Sequence, residues 1–440
     1  MRGWLRKGRR QVRMLLLTHY FPPEVNAPAS RTHEHARAWV RLGHTVTVVT
    51  CFPNHPSGRL YPGFRNWLWQ CDYMSGVRVI RLWTYLAPNE GFAHRNLNYI
   101  FYFLAVCIAA PLLPRADVVI STSPQFFCGL AGYVVSRLKR TPWVLEIRDL
   151  WPESIVAVGA MRAGPVIGLL EALERFMYRK AEHVVALTEA FVGHITARGA
   201  TPDKVTVIKN GVDLEHFVRP GNGSRALRAE LGLAHQFVAG YLGTIGMAHQ
   251  LETVLDGAAR LRGHPSIAFL IAGAGAARAQ LCRLREERGL SNVIILDQQP
   301  KERMPALWAS CDASLILLRN VPEFAKVLPS KLFESMAMGL PIVLGLVGES
   351  RALVERVGCG IAIRPEDAEG LADAVCTLAA DPDHARSMGE RGRRYVAVHH
   401  DRARIASRFA ALLEDVTGSP HRSLRHAWSR RLPNRWGGAT

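Results

Sequence analysis

Short apolar runs alternate with helical patterns along almost the whole 440-residue chain. In the first half the runs are "RMLLLTHY", "HTVTVVT", "VRVIRLW", "ADVVISTS", "PWVLEIRD" and "HVVALT". In the second they are "QFVAGYLG", "IAFLIAG", "NVIILD", "ASLILL", "PIVLGL" and "GIAIRP". Most lack polar–apolar alternation, as strands buried on both faces do. Helical segments such as "ASRTHEHARAWVRLG" and "LETVLDGAARLRG" fall between many of them. This is the pattern of parallel sheets covered by helices. The rhythm breaks near "GVDLEHFVRPGNGSRALRAELGLAHQ", where turn residues and charges take over. The expected fold class is therefore α/β, with two doubly wound domains facing a central cleft. The expected boundaries are a tail over 1–11, a first domain over 12–200, a linker over 201–235 and a second domain over 236–400. A helix over 401–418 returning to the first domain and a tail over 419–440 complete the plan. Ligands of such folds bind beyond the carboxyl ends of the strands, so the chemistry is sought in the loops that follow them.

Charge sharpens the picture at the ends. The net charge is +18, and Arg2, Arg6, Lys7, Arg9, Arg10 and Arg13 stand near the start with no acid among them. Arg422, Arg425, Arg430, Arg431 and Arg435 do the same at the end. With Trp4, Trp428 and Trp436 interspersed, these tails suit an anionic membrane surface. Neither contains a nucleic-acid module, and no nucleic-acid partner is expected. The eight cysteines form no C-x-x-C pair, which argues against zinc and for reduced, buried thiols in a cytosolic protein. "MLLL" is too short for a signal peptide. The uncharged run "NLNYIFYFLAVCIAAPLLP", residues 96–114, loses several positions to Asn and Pro. It reads as a buried or interfacial helix rather than a membrane span.

Candidate chemistry gathers in the second half. "LPSKLFESMAMGLPIVL" has Pro329 at a helix start, Gly339 just past its end and Pro341 blocking continuation. Lys331 then sits in the first turn, where the helix dipole disfavours a cation. A bound anion would remove that conflict. The alternative is a solvated Lys331–Glu334 pair on the helix surface. "YLGTIGMAHQLE" places Gly243 and Gly246, and "IAGAGAARAQL" places Gly273 and Gly275, between a strand and a helix. Backbone N–H groups there can approach a phosphate closely. Neither is a Walker A loop, since no Gly-Lys-Ser/Thr follows. Three such features at strand ends of one domain point to a phosphorylated or nucleotide ligand.

In the first half, "THYFPPEVNAPASRTHEHA" is a long polar loop after the first strand. "EIRDLWPES" clusters Glu146, Arg148 and Asp149 at another strand end, where charges are costly unless paired or used. A structural Arg148–Asp149 network is the alternative to a catalytic role.

Taken together, "YFPPE", "RLGHTVTVVT", "EIRDLWPES", "VIKNGVD", "GYLGTIG" and "PSKLFESMAMGLP" resemble the motifs of retaining GT-B glycosyltransferases of family 4. They are similar in particular to the bacterial branch that includes L-fucosamine transferases of surface-polysaccharide assembly. The resemblance covers residues 12–416. It implies two Rossmann-like domains, the first binding acceptor and the second a nucleotide sugar. The implied reaction moves an N-acetylated hexosamine or deoxy-hexosamine from a UDP-sugar to a lipid-linked or saccharide acceptor, with retention. By resemblance the donor site comprises Asn210, Gly243, Thr244, Gly246, Gly273, Gly275, Lys331 and Glu334. Acceptor contacts fall to Asn26 and Arg31, and catalysis to Asp149, Arg148 and Lys331. Glu334 matches the second glutamate of the family's E-x7-E motif, but Lys326 stands where the first belongs. Thr244 and His249 replace an arginine and a lysine found in many members, leaving Lys331 to meet the diphosphate. Arg148 occupies the place of a histidine, and Asn26 and Ala27 replace glycines. No DxD-type acid pair is present, so neither metal nor cofactor is expected. The expected location is cytoplasmic, peripheral to the inner face of the cell membrane. A nucleotide-sugar 2-epimerase and a catalytically silent, membrane-docked scaffold remain the alternatives.

Overall fold

The computed structural model describes residues 10–87, 92–123, 125–157, 159, 161, 164–219 and 223–418. Apart from Arg10–Arg13, the basic tails, and the membrane expectation attached to them, lie outside the described residues. The first sheet contains β1 (Arg13–Leu17), β2 (Thr45–Cys51), β3 (Trp69–Met74) and β4 (Val77–Leu82). It continues with β5 (Val118–Thr122), β6 (Trp143–Ile147), β7 (His183–Ala186) and β8 (Val205–Val207). Its order is β3-β4-β2-β1-β5-β6-β7-β8, parallel throughout except for β3. The second sheet is built from β9 (Phe237–Leu242), β10 (Ile267–Ala272), β11 (Val293–Leu296), β12 (Ala313–Leu317), β13 (Ile342–Gly345) and β14 (Gly360–Ala362). Its order is β11-β10-β9-β12-β13-β14, parallel throughout. Helices cover both faces, so central strands such as β5, β6, β10 and β12 are buried along their full length. The chain is α/β with two Rossmann-like domains.

Two strands depart from the pattern read in the sequence. β3, "WQCDYM", alternates exposed and half-buried positions because it closes a sheet edge with one solvated face. β8 is three half-buried residues inside the stretch expected to be linker. The first sheet therefore reaches Val207, and a helix over Gly223–Glu230 occupies part of the remaining linker. The cysteine expectation is also corrected: all eight are free, but only Cys51, Cys128, Cys311 and Cys359 are buried, and Cys71 is exposed.

The strand order reverses between β1 and β5 in one sheet and between β9 and β12 in the other. The loops leaving these strands are where doubly wound folds open a crevice. The chain crosses between domains twice, and the crossings are stitched together. Val212 pairs with Asp401 in a parallel bridge; the Val212 amide donates to His400 O (3.0 Å) and the Arg402 amide to Val212 O (3.0 Å). A Cβ on Gly211 would stand 2.4 Å from His400 O, so only glycine fits there. The terminal helix Arg402–Gly418 then lies on the first domain, where Ile405, Phe409 and Leu413 join Val12, Met14 and Val46 in one core. Trp39 Nε1 donates to Ala406 O across that contact (3.0 Å).

Beneath the crossing lies a buried ion pair. Arg31, on the Ala27–Arg41 helix, meets Glu146 at the end of β6 at 2.8 Å, and both side chains are almost fully buried. Arg31 also donates to Ile208 O, Lys209 O and Asn210 Oδ1 at 3.2–3.3 Å. Burial alone would raise the Glu146 carboxyl, but Arg31 and Arg148 outweigh it and hold it below its ordinary value. The pair's contribution is thus complete above the unfolded value of about 4.3 and is lost as pH falls through the lower folded one. Arg31→Ala should cost about 3–5 kcal/mol, because it leaves a buried carboxylate without its partner. Arg31→Met combined with Glu146→Leu should recover only part of that loss, because the acceptors at Ile208, Lys209 and Asn210 lose their donor and buried Arg148 its nearby carboxylate. Urea unfolding midpoints at neutral pH, measured for both variants, check this.

Candidate active site

The cleft between the sheets encloses a cavity of about 490 Å³. From the second domain it is lined by Gly243, Thr244, Gly273, Gly275, Lys331 and Glu334, and from the first by Tyr20, Asn26, His55, Tyr99 and Gln125. A neighbouring recess of about 790 Å³ shares Glu34, Asp213 and Lys301 with it. The smaller cavity carries the glycine loops and Lys331, so the chemistry is sought there.

The two glycine loops are fused edge to edge. Gly243, Gly273 and Gly275 have φ of 135°, 158° and 153°, and a Cβ on Gly273 would fall 1.8 Å from Gly243 O. One on Gly275 would fall 2.2 Å from Ile245 O. The Ile245 amide, in turn, donates to Ala274 O at 2.8 Å. Gly246 has ordinary φ, does not line the cavity, and packs against the His249 ring.

The Ser330–Ala337 helix begins against these loops with Pro329 as its N-cap, so it starts one residue later than the sequence suggests, and without a side-chain cap. Lys331 forms no ion pair with Glu334, which removes the surface-pair alternative. Its Nζ is buried, has no hydrogen-bond partner, and lies 3.6 Å from the centroid of the Tyr241 ring. A Cβ on Gly243 would be 3.3 Å from that nitrogen. Burial pushes the Lys331 ammonium down to about 7, against a smaller raising effect of Glu334. His249, on the same wall, is pushed down to about 3 by burial and by Lys331, so its ring is neutral. Glu334 is raised by burial and by Glu34, and lowered by Arg402, Lys331 and Lys301. Glu34 is itself held by Lys301 (2.6 Å) and Arg402 (3.3 Å), a bridge across the cleft floor.

On the first-domain wall, Asn26 Oδ1 accepts from the Ala29 amide (2.8 Å), which fixes the start of the Ala27–Arg41 helix. The Tyr20 and Tyr99 hydroxyls are 3.1 Å apart. Five other residues singled out in the sequence do not line the cavity: Arg31, Arg148, Asp149, Asn210 and Gly246. Arg31 is occupied by Glu146. Asn210 donates through Nδ2 to Ser330 Oγ and so links the crossing chain to the start of the Lys331 helix. Arg148 reaches Pro28 O (3.4 Å), and burial, with Arg31 and Arg402 nearby, pushes its guanidinium down to about 9 despite Glu146. Asp149 accepts from Ser154 Oγ (3.1 Å), and burial raises its carboxyl. Among the described residues no ion pair joins Arg148 to Asp149; the strand-end network runs through Arg31 instead. Lys326, where the family's first glutamate would stand, pairs with Glu153 across the cleft (3.1 Å).

Sequence reasoning did not single out Glu34, Lys301, Arg402, Tyr20 or Tyr99 as parts of the site. Lys301 follows the carboxyl end of β11, a position the strand-end rule covers. Glu34, Tyr99 and Arg402 sit on helices, and nothing in their local pattern marks them. Among the described residues no group of three or more His, Cys, Asp or Glu is placed to hold a metal ion.

Residues 26–211 match the glycosyl transferase 4-like domain, and residues 224–395 match glycosyl transferases group 1. The chain is a glycosyltransferase of the GT-B fold. It is 26% identical over 386 residues to the putative colanic acid biosynthesis glycosyl transferase WcaI of Escherichia coli K12, covering 84% of this chain and 94% of that one. It is also 29% identical over 260 residues to a D-inositol 3-phosphate glycosyltransferase of Nocardia farcinica, covering 56% and 54% of the two chains. Among solved structures, Anabaena Alr3699/HepE in complex with UDP and glucose superposes with a TM-score of 0.70 at 18% identity, over 92% of this chain and 99% of that one. WaaG, a glycosyltransferase involved in lipopolysaccharide biosynthesis, superposes at 0.67 and 16% identity, over 92% and 100%.

The glycine loops of this glycosyltransferase give a sharp contrast. Gly273→Ala forces a side chain into the Gly243 carbonyl and should destabilise by about 3 kcal/mol or more. Gly246→Ala meets only ordinary contacts and should stay within about 1 kcal/mol of wild type. Thermal or denaturant unfolding of the two variants tests the difference.

Proposed function

We propose that this glycosyltransferase moves an N-acetylated hexosamine or deoxy-hexosamine from a UDP-sugar to a lipid-linked or saccharide acceptor, with retention, in bacterial surface-polysaccharide assembly. It would act at the inner face of the cell membrane. The observation that carries the reading is the Lys331 ammonium, buried at the cavity wall without a hydrogen-bond partner. A buried cation without an anion is costly, and the arrangement has the form of a site built for one. The helix start without a side-chain cap points the same way. A departing diphosphate would be stabilised there by fixed charge and dipoles, with no metal or cofactor required. Glu334, one turn along the helix on the same wall, suits the ribose hydroxyls, and Thr244, Gly243, Gly273 and Gly275 complete the donor wall. The names of similar proteins support the reading: HepE was solved with UDP and with UDP-glucose, and WcaI is named for colanic acid biosynthesis.

On the acceptor side Asn26 faces the cavity and Arg31 acts through its neighbours, as do Arg148 among the catalytic residues and Asn210 among the donor residues. Asp149, held by Ser154, is assigned as a positioning residue for its own "EIRDLWPES" loop rather than as a wall contact.

Lys331→Ala should weaken UDP about ten- to a hundredfold, the loss of one charge-assisted hydrogen bond, and leave uridine nearly unchanged. Glu334→Ala should weaken both ligands, because both carry the ribose. Free Lys331 titrates near 7, so UDP binding must draw a proton above that pH. Wild-type affinity for UDP should fall from pH 7 to 8, below the range where uracil ionises, while that for uridine stays flat. Calorimetry with EDTA present throughout reads all three. Wild-type affinities in both variants, or UDP binding abolished by EDTA, would sink the donor assignment.

Asp149→Asn should lower kcat strongly at unchanged UDP affinity and unchanged unfolding midpoint, which a merely structural role would not do. Release of UDP only when acceptor is supplied separates transfer from epimerisation.

A further inference from the structure

β3 is the outer strand of the first sheet, and the chain around its free edge is apolar. Trp67, Leu68, Trp69 and Tyr73 are all exposed in one short run, Leu68 at 83% and Tyr73 at 74%. Single exposed apolar side chains are ordinary, but four together on an edge strand mark a contact surface. Edge strands are commonly blunted by proline, a bulge or lysine. β3 has none of these: its register with β4 is unbroken, and Asp72 is its one charge.

The free edge also presents its backbone groups in a defined order. Antiparallel pairing runs from Trp69 opposite Leu82 to Met74 opposite Val77, and one step beyond it Leu68 O accepts from the Trp83 amide (3.4 Å). Leu68, Gln70, Asp72 and Met74 therefore direct N–H and C=O at β4, while Trp69, Cys71 and Tyr73 direct theirs outward. Among the described residues no backbone hydrogen bond from outside the β3–β4 pair reaches those three.

A second copy of β3 fits this edge. Residues 68–74 are centred on Cys71, and a two-fold axis there sets Trp69 opposite Tyr73, Gln70 opposite Asp72 and Leu68 opposite Met74 of the second copy. The outward groups of Trp69, Cys71 and Tyr73 then face the outward groups of Tyr73, Cys71 and Trp69, so donors meet acceptors at every pair. The side chains agree: aromatic meets aromatic, amide meets carboxylate, and Leu meets Met. Within one chain Gln70 Nε2 holds a single oxygen of Asp72 (2.8 Å), which leaves the other for the second copy. Moving the axis by one residue spoils the match. On Asp72 it sets the carboxylate against its own copy, and on Gln70 it sets Leu68 against Asp72.

We infer that two copies of this chain pair antiparallel along β3, about a two-fold axis at Cys71, and so join two eight-stranded sheets into one. The edge is complementary to itself, which is the signature of an isologous contact rather than of a partner with unrelated sequence. No residue of β3 lines the catalytic cavity, so the pairing stands apart from the donor reading.

Sedimentation equilibrium of the full chain under reducing conditions should show a dimer. Trp69→Lys combined with Tyr73→Lys sets lysine opposite lysine and should weaken it by about tenfold or more. Gln70→Lys places a cation opposite Asp72 of the second copy and should tighten the dimer about fivefold, whereas Gln70→Asp should weaken it about as much. Diamide should link the copies through Cys71, the one exposed cysteine, because Cα atoms of a hydrogen-bonded antiparallel pair stand about 5.5 Å apart, within disulfide reach. Cys71→Ser should give no linked dimer. Unfolding midpoints and UDP affinity should stay at wild-type values in every variant, which separates failure here from failure of the donor site. A wild-type chain that sediments as a monomer overturns the inference. So does a dimer untouched by the lysine pair, or one that Gln70→Lys and Gln70→Asp shift in the same direction. If the lysine pair leaves the oligomeric state alone but abolishes sedimentation with phosphatidylcholine–phosphatidylglycerol vesicles, the edge meets lipid and not a second copy.

Discussion

Arg31 is the knot on which the arrangement of the two domains depends. One guanidinium joins the first long helix, the end of β6 and three successive residues of the chain as it leaves the first domain. Taking that charge out of water is costly, and the cost is met only because its donors are matched by Glu146 and by the crossing backbone. Asn210 shares this arrangement and passes it on to Ser330, the first residue of the helix that carries Lys331 and Glu334. The position of the helix that carries Lys331 is thus set from the opposite domain. A residue that resembled an acceptor contact serves as the frame of the cavity's opposite wall.

The two ends of the cleft treat charge in opposite ways. At the crossing Arg31 is answered by Glu146, and Glu34 by Lys301 and Arg402. At the glycine loops Lys331 is buried against a tyrosine ring and a glycine, with nothing to accept from it. Cation–π contact offsets part of the desolvation but supplies no counter-charge. The imbalance is local, and it lies where the two glycine loops meet a helix start without a side-chain cap.

Much of this was legible in the chain. The parallel sheets could be read because central strands lack alternation, and the glycine loops because paired glycines between a strand and a helix mark a close approach of backbone to backbone. What escaped detection did so for physical reasons. β8 is three residues long, below the length at which any period shows, and β3 is an edge strand with one wet face. Lys331 raised the right question, since a lysine in an uncapped first turn needs an explanation, but the answer required seeing Tyr241 beneath it. Arg31 and Glu146 are separated by more than a hundred positions, and no local pattern reveals that they meet. The cluster at "EIRDLWPES" signalled a constrained charge without saying which of its members the fold had claimed.

The terminal helix has a consequence for how the molecule is made. Its Ile405, Phe409 and Leu413 complete the core on one side of the first sheet, whose own strands end at Val207. A ribosome adding roughly 5–20 residues per second needs on the order of tens of seconds to travel from one to the other. During that interval the first domain is on the outside of the ribosome with an apolar flank open, while the entire second domain is threaded between it and its missing piece. That flank stays uncovered until the final helix has left the ribosome and packed against the first sheet.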